Sequence, residues 1–158
     1  MEINENLMSQ EFPKFLHGPY LKATLTMLQS YAENEIKIIL PYLIQSDILD
    51  AILSIPKNIQ IKLYTRDSAG YLPNIRHGAQ PALDKLTQLS NLQLFISNKI
   101  HAKIWKIDNK FTIVHSMNGT PTSENINFEA GIISIHPTVI KDVDSYFELV
   151  ENESIRIS

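Results

Sequence analysis

Residues 101–129 read HAKIWKIDNKFTIVHSMNGTPTSENINFE. Two alternating runs, WKI and KFTI, flank Asp108-Asn109. Alternation with period two marks a strand, and Asp and Asn tolerate the left-handed backbone of a tight turn. The stretch is expected to fold as strands at 100–107 and 111–117 joined by a two-residue turn, with a further strand at 128–135. Such a turn sets the register: Ile107 opposite Lys110, Trp105 opposite Thr112, His101 opposite Ser116. Opposed side chains share a face. Lys103 joins His101 there by parity, and Asn118 joins if the strand runs that far. His115 has the other parity and is expected to point away. The other face carries Ile100, Ala102, Ile104 and Ile113 as core.

Outward from this hairpin the chain alternates. Residues 19–34 carry Leu21, Leu25, Leu28 and Ala32 at helical spacing, with Pro19 at the start. Residues 36–40 form a short apolar run stopped by Pro41, expected as a buried strand. Ser46 is a candidate N-cap for a helix over 46–54. Residues 59–64 and 92–96 are expected as strands. Residues 66–80 lack a clean period and read as a long loop, and residues 81–89 as a helix with Pro81 in its first turn. A helix over 138–150 closes the chain. Strands alternating with helices, then a hairpin, predict one α/β domain over 1–158: a mixed, largely parallel sheet with helices on both faces.

The bulk properties narrow the function. A chain of 158 residues buries a core without staples. Its 44% apolar and 20% charged residues are those of an ordinary globular protein. The absence of cysteine excludes disulfides and thiolate metal sites and fits a reducing cytoplasm. The N-terminal MEINENLMSQEF lacks the basic and apolar regions of a signal peptide. No apolar run is long enough to span a bilayer. A cytoplasmic protein without stable membrane association is therefore expected. The net charge of −3 weighs against strong nonspecific nucleic-acid binding. Lys99, Lys103, Lys106 and Lys110 nevertheless crowd one short window. A solvated strand face explains all but Lys103 as well as substrate binding does.

Phosphoryl transfer needs cations and N–H or O–H donors aimed at the non-bridging oxygens. Lys103, Ser116 and Asn118 supply them, and the His101 imidazole can form a covalent phospho-intermediate. Asp108 lies at the turn, with opposite parity, where shaping the turn or pairing with a cation suits it better than chemistry.

These residues resemble the signature of the phospholipase D superfamily: His101-x-Lys103-x4-Asp108, then Ser116-x-Asn118, then Asn127-x-Glu129. One departure stands out, because His115 occupies the position before the serine where the family has glycine. The resemblance implies a metal-independent phosphodiesterase without cofactor, with His101, Lys103, Ser116, Asn118 and Glu129 catalytic and Asp108 and Asn127 supporting. It implies that two motif copies build one site, one histidine attacking phosphorus and the other protonating the leaving oxygen. This chain carries one copy, since neither His17, His77 nor His136 has a lysine two residues on. A homodimer is therefore expected. Its size resembles that of the small dimeric nucleases, which implies DNA or RNA as substrate, with Arg66, Arg76 and Lys99 as candidate contacts. Phospholipid or another small phosphodiester, or non-catalytic nucleic-acid binding on the same fold, are the competing readings.

Overall fold

The computed structural model describes residues 11–158. Eight strands form one mixed sheet in the order β1-β7-β6-β5-β2-β3-β4-β8. They are β1 (Lys14–His17), β2 (Glu35–Ile39), β3 (Gln60–Thr65), β4 (Leu92–Ile96), β5 (Ile104–Ile107), β6 (Phe111–His115), β7 (Ala130–Ser134) and β8 (Ile155–Arg156). The expected α/β sheet is present, and its parallel part is the β2-β3-β4 block. The remaining pairings are antiparallel.

Helices cover both faces. On one lie α1 (Gly18–Met27), α2 (Asp47–Leu53) and α3 (Arg76–Thr87). Their Leu21, Leu25, Ile48, Ile52, Leu83 and Leu86 meet Ile36, Leu63, Trp105 and Ile113 of the sheet. Ser46 caps α2 as expected, accepting from the Leu49 N–H at 3.2 Å. On the other face α5 (Pro137–Asn152) lays Val143 and Phe147 against Ile39, Tyr64, Phe95 and Ile104. No helix among the described residues is long and apolar enough to cross a membrane.

The first helix ends at Met27 and passes into a 3₁₀ turn at Leu28–Tyr31, and β5 starts only at Ile104, so His101 and Lys103 precede it. Three further expectations change. Helix α3 starts at Arg76, so Pro81 lies inside it. No side chain caps that start, which is why the sequence drew the helix from its proline. The loop before it shrinks accordingly and holds a 3₁₀ turn at Ser68–Gly70. Second, β1, β8 and the five-residue α4 (Pro121–Asn125) are additions, each too short to show a period.

The third change matters most for the site. Ile107 pairs with Phe111, Lys106 with Thr112 and Trp105 with Ile113. A two-residue turn of this kind needs positive φ at both central residues. Asp108, with φ 48°, is the one non-glycine residue with positive φ among those described. The turn closes by Lys110 N–H to Ile107 O at 3.0 Å and takes in a third residue. This one-residue slip reverses faces. It puts Phe111 and Ile113 in the helical core beside Trp105, where the expected register would have placed Lys110 and Thr112.

Candidate active site

The slip carries through to the motif residues. His115 N–H donates to Lys103 O at 3.1 Å, so these two are opposed and share the α1–α3 face. His115 therefore does not point away from the site as expected. It lies beside Lys103, and Ser116 follows just past the end of β6.

The segment before β5 is held from behind. Arg66 donates through Nε to Ile100 O at 2.7 Å and stacks over Tyr42 at 5.3 Å. Ile100 is buried against α5 residues. The chain then turns outward, leaving the His101 side chain exposed and Lys103 buried. Lys103 Nζ donates to His101 O at 2.9 Å. Burial lowers the Lys103 pKa below the ordinary lysine value; the Glu129 carboxylate opposes that shift and Arg66 adds to it.

Glu129 organises the other side. Its carboxylate accepts from Ser116 Oγ and, at 3.4 Å, from Asn127 Nδ2. Ser116 Oγ in turn accepts from Ala130 N–H at 3.1 Å. Glu129 O accepts from Gly18 N–H at 3.0 Å, at a residue whose φ of 50° suits glycine. Lys103, Glu129, Ser116 and Asn127 thus form one polar cluster beside the exposed His101. The Asn118 Oδ1 atom is buried without a hydrogen-bond partner among the described residues. Chemically, the cluster offers an ammonium, a hydroxyl and an imidazole to a tetrahedral anion.

Asp108 lies apart, at the hairpin turn. It accepts from the N–H groups of Glu33, Asn34 and Glu35 at 2.8, 3.0 and 2.8 Å. Burial alone would raise its pKa, but these bonds and the nearby Lys110 outweigh burial and hold it below the usual carboxylate range. Lys99 pairs with Glu153 at 2.6 Å, and Arg76 Nη2 bonds Tyr71 O at 3.2 Å. The other crowded lysines are paired too. Lys106 meets Asp144 at 3.1 Å and Lys110 meets Glu33 at 2.5 Å. The lysine window is consequently no free positive patch.

The sequence reading missed how His115 is housed. Its partner across β7 is Gly131, where a Cβ would lie 2.7 Å from the His115 Cβ. Both imidazole nitrogens are buried, and among the described residues neither makes a well-formed hydrogen bond, although the Met117 backbone lies close enough to favour the charged form weakly. Burial, with the Lys103 charge adding to it, lowers the pKa to about 3, so the ring is neutral near pH 7. A glycine within a strand pattern was the available signal of close packing.

A family model described as cardiolipin synthase, PLD-like domain, matches residues 25–150. No curated protein matches the sequence. Among solved structures, the phospholipase D family member Nuc from Salmonella typhimurium superposes with a TM-score of 0.76 at 16% identity, covering 92% of this chain and 98% of that one. NucT from Helicobacter pylori gives 0.73 at 17% identity, covering 91% and 100%. TrmBL2, an archaeal chromatin protein whose structure shows a novel mode of DNA binding, gives 0.65 at 14% identity, covering 99% and 57%.

Proposed function

This chain belongs to the PLD-like domain family, and on that footing we propose that it is a metal-independent nuclease working as a homodimer. The observation that carries the proposal is a half-complete site. One exposed His101 stands beside Lys103 and the Ser116–Glu129 pair, with one copy of the motif in the chain.

In this reading His101 of one subunit, as neutral imidazole, attacks phosphorus. The bond to the leaving oxygen breaks, and His101 of the other subunit, as imidazolium, gives that oxygen its proton. The second imidazole, now neutral, takes a proton from water, which attacks the phosphohistidine and releases the phosphate monoester. Lys103 and Ser116 hold the non-bridging oxygens while charge redistributes. Asn118 contributes a further donor, and Glu129 with Asn127 aligns Ser116. The buried His115, neutral near pH 7, offers no imidazolium proton and is not the second acid in this reading.

In EDTA a chromogenic bis-phosphodiester and at least one of single- or double-stranded DNA or RNA should be hydrolysed. The His101→Ala variant should lose at least about a thousandfold in rate, with the dimer retained. Wild-type turnover by that variant, or cleavage abolished by EDTA, contradicts the mechanism. A second reading, non-catalytic nucleic-acid binding, draws on His115 at the family's glycine position. Retention of DNA with no turnover of any substrate would favour it. Hydrolysis confined to phospholipid would favour a lipid enzyme.

A further inference from the structure

The 126–130 segment and the end of β1 enclose a cavity of about 450 Å³ beside the candidate site, lined by His17, Pro19, Ile126, Phe128 and Glu129. Glu129 forms part of its wall and is also the acceptor for Ser116. Phe128 stands between Asn127 and Glu129 with its ring fully exposed. Phe15, His17 and Tyr20 form an exposed aromatic row, with successive ring centroids 6.1 Å apart, and His17 shares the cavity with Phe128. Large aromatic rings left in water beside a reactive cluster call for a ligand face.

The charges near the site say which kind of grip that ligand receives. Lys103 is buried, Arg66 is held by the Ile100 and Gly70 carbonyls, and Lys99 is bound to Glu153; Lys106 and Lys110, toward the hairpin turn, are paired as well. A neighbouring cavity of about 570 Å³ presents Asp47 and Asp50, with Lys22 tied to Asp47 at 2.5 Å. A sugar–phosphate backbone gains little from such surroundings. Ionic binding of a duplex requires several free cations along its phosphates, whereas stacking requires only a π-face. Bases inside a duplex are already stacked on each other, so an unpaired strand is the ligand that fits.

We infer that Phe128 and His17 form a stacking site for an unpaired nucleobase next to the scissile phosphate, an inference that rests on the nuclease reading. It makes the substrate a single strand, held by its bases more than by its backbone.

The test is binding, read by fluorescence anisotropy with the full-length His101→Ala chain so that turnover does not interfere. The probes are a labelled oligothymidylate, an abasic strand of the same length and a blunt duplex. The oligothymidylate should bind at least about tenfold tighter than either of the others. It should lose less than about tenfold in affinity between roughly 50 and 200 mM salt. Adding Phe128→Ala should erase the preference for bases, and Phe128→Trp should keep it. Equal affinity for abasic and base-bearing strands overturns the inference, as does tighter duplex binding with a steep salt dependence. Conversion of the dimer to monomers by Phe128→Ala also overturns it, because the ring would then belong to an interface. Binding is measured apart from hydrolysis. Failure of hydrolysis in EDTA therefore counts against the catalytic reading, and loss of base preference against the stacking site.

Discussion

His115 concentrates the chemistry peculiar to this chain at one residue. A buried imidazole with so little hydrogen bonding costs stability, and Gly131 makes its placement possible. Gly131→Ala should destabilise by on the order of 1–3 kcal/mol, since its methyl group would meet His115 Cβ at 2.7 Å and Val114 O at 2.9 Å. The same substitution in a His115→Gly background should cost less, because one of those two contacts is gone. Urea unfolding of the four proteins measures this coupling, and strict additivity would refute it. Acid should also act through His115. Its folded pKa, near 3, lies below the unfolded value near 6.5, so in that window the unfolded chain binds a proton the folded chain does not. Stability supplied by the neutral buried ring is full above the unfolded value and drains as pH falls. From pH 7 to pH 5 the loss attributable to His115 should be on the order of 1–2 kcal/mol. A His115→Gln variant should lack this component, and identical pH dependence in the two proteins would contradict the assignment.

The elements stand or fall with a few side chains, and these also set what the sequence could reveal. Alternation and caps made the helices over Asp47–Leu53 and Pro137–Asn152 and the strands β2, β3 and β4 legible, because each carries its own period or cap. The hairpin register was not legible. Whether one or two turn residues adopt positive φ is decided by the partners of Asp108, which lie more than seventy residues upstream at Glu33–Glu35. The motif residues were still found, because their identity and order survive a one-residue slip; which face each occupies does not. Asp108→Ala removes one acceptor for three N–H groups and should cost about 2–4 kcal/mol. Activity per folded molecule should stay within a few-fold, and a collapse in kcat without loss of stability would make Asp108 part of the chemistry instead. A second joint is Asp144 on α5, between the directly opposed Lys37 and Lys106 at 3.3 and 3.1 Å. Lys106 is almost wholly buried. Asp144→Ala should therefore cost about 1–3 kcal/mol, since Lys106 keeps Asn109 Oδ1 at 2.9 Å, with Lys106→Met restoring part of it in thermal unfolding.

At the scale of the whole molecule the distribution of charge and the count of motifs point the same way. Of the lysines that crowd the sequence between 99 and 110, Lys99, Lys106 and Lys110 meet Glu153, Asp144 and Glu33, which are distant in the chain, so their neutralisation is a property of the fold and not of the window. What the motif itself brings together is one exposed imidazole, one buried ammonium and a hydroxyl held by Glu129, too little for both halves of a phosphoryl transfer. If the second histidine comes from an identical subunit, activity depends on how subunits are mixed. Wild-type and His101→Ala chains that exchange at random leave a wild-type pair in a fraction equal to the square of the wild-type share. At equal mixing the rate should be about a quarter of that of wild type at the same total protein. A hydrolytic site complete within one chain would instead give half, in direct proportion to the wild-type share. The measurement needs only tagged chains, refolded together across a series of ratios, and a phosphodiester whose cleavage can be followed. A straight line through the origin would assign both catalytic steps to a single subunit and dismiss the paired site.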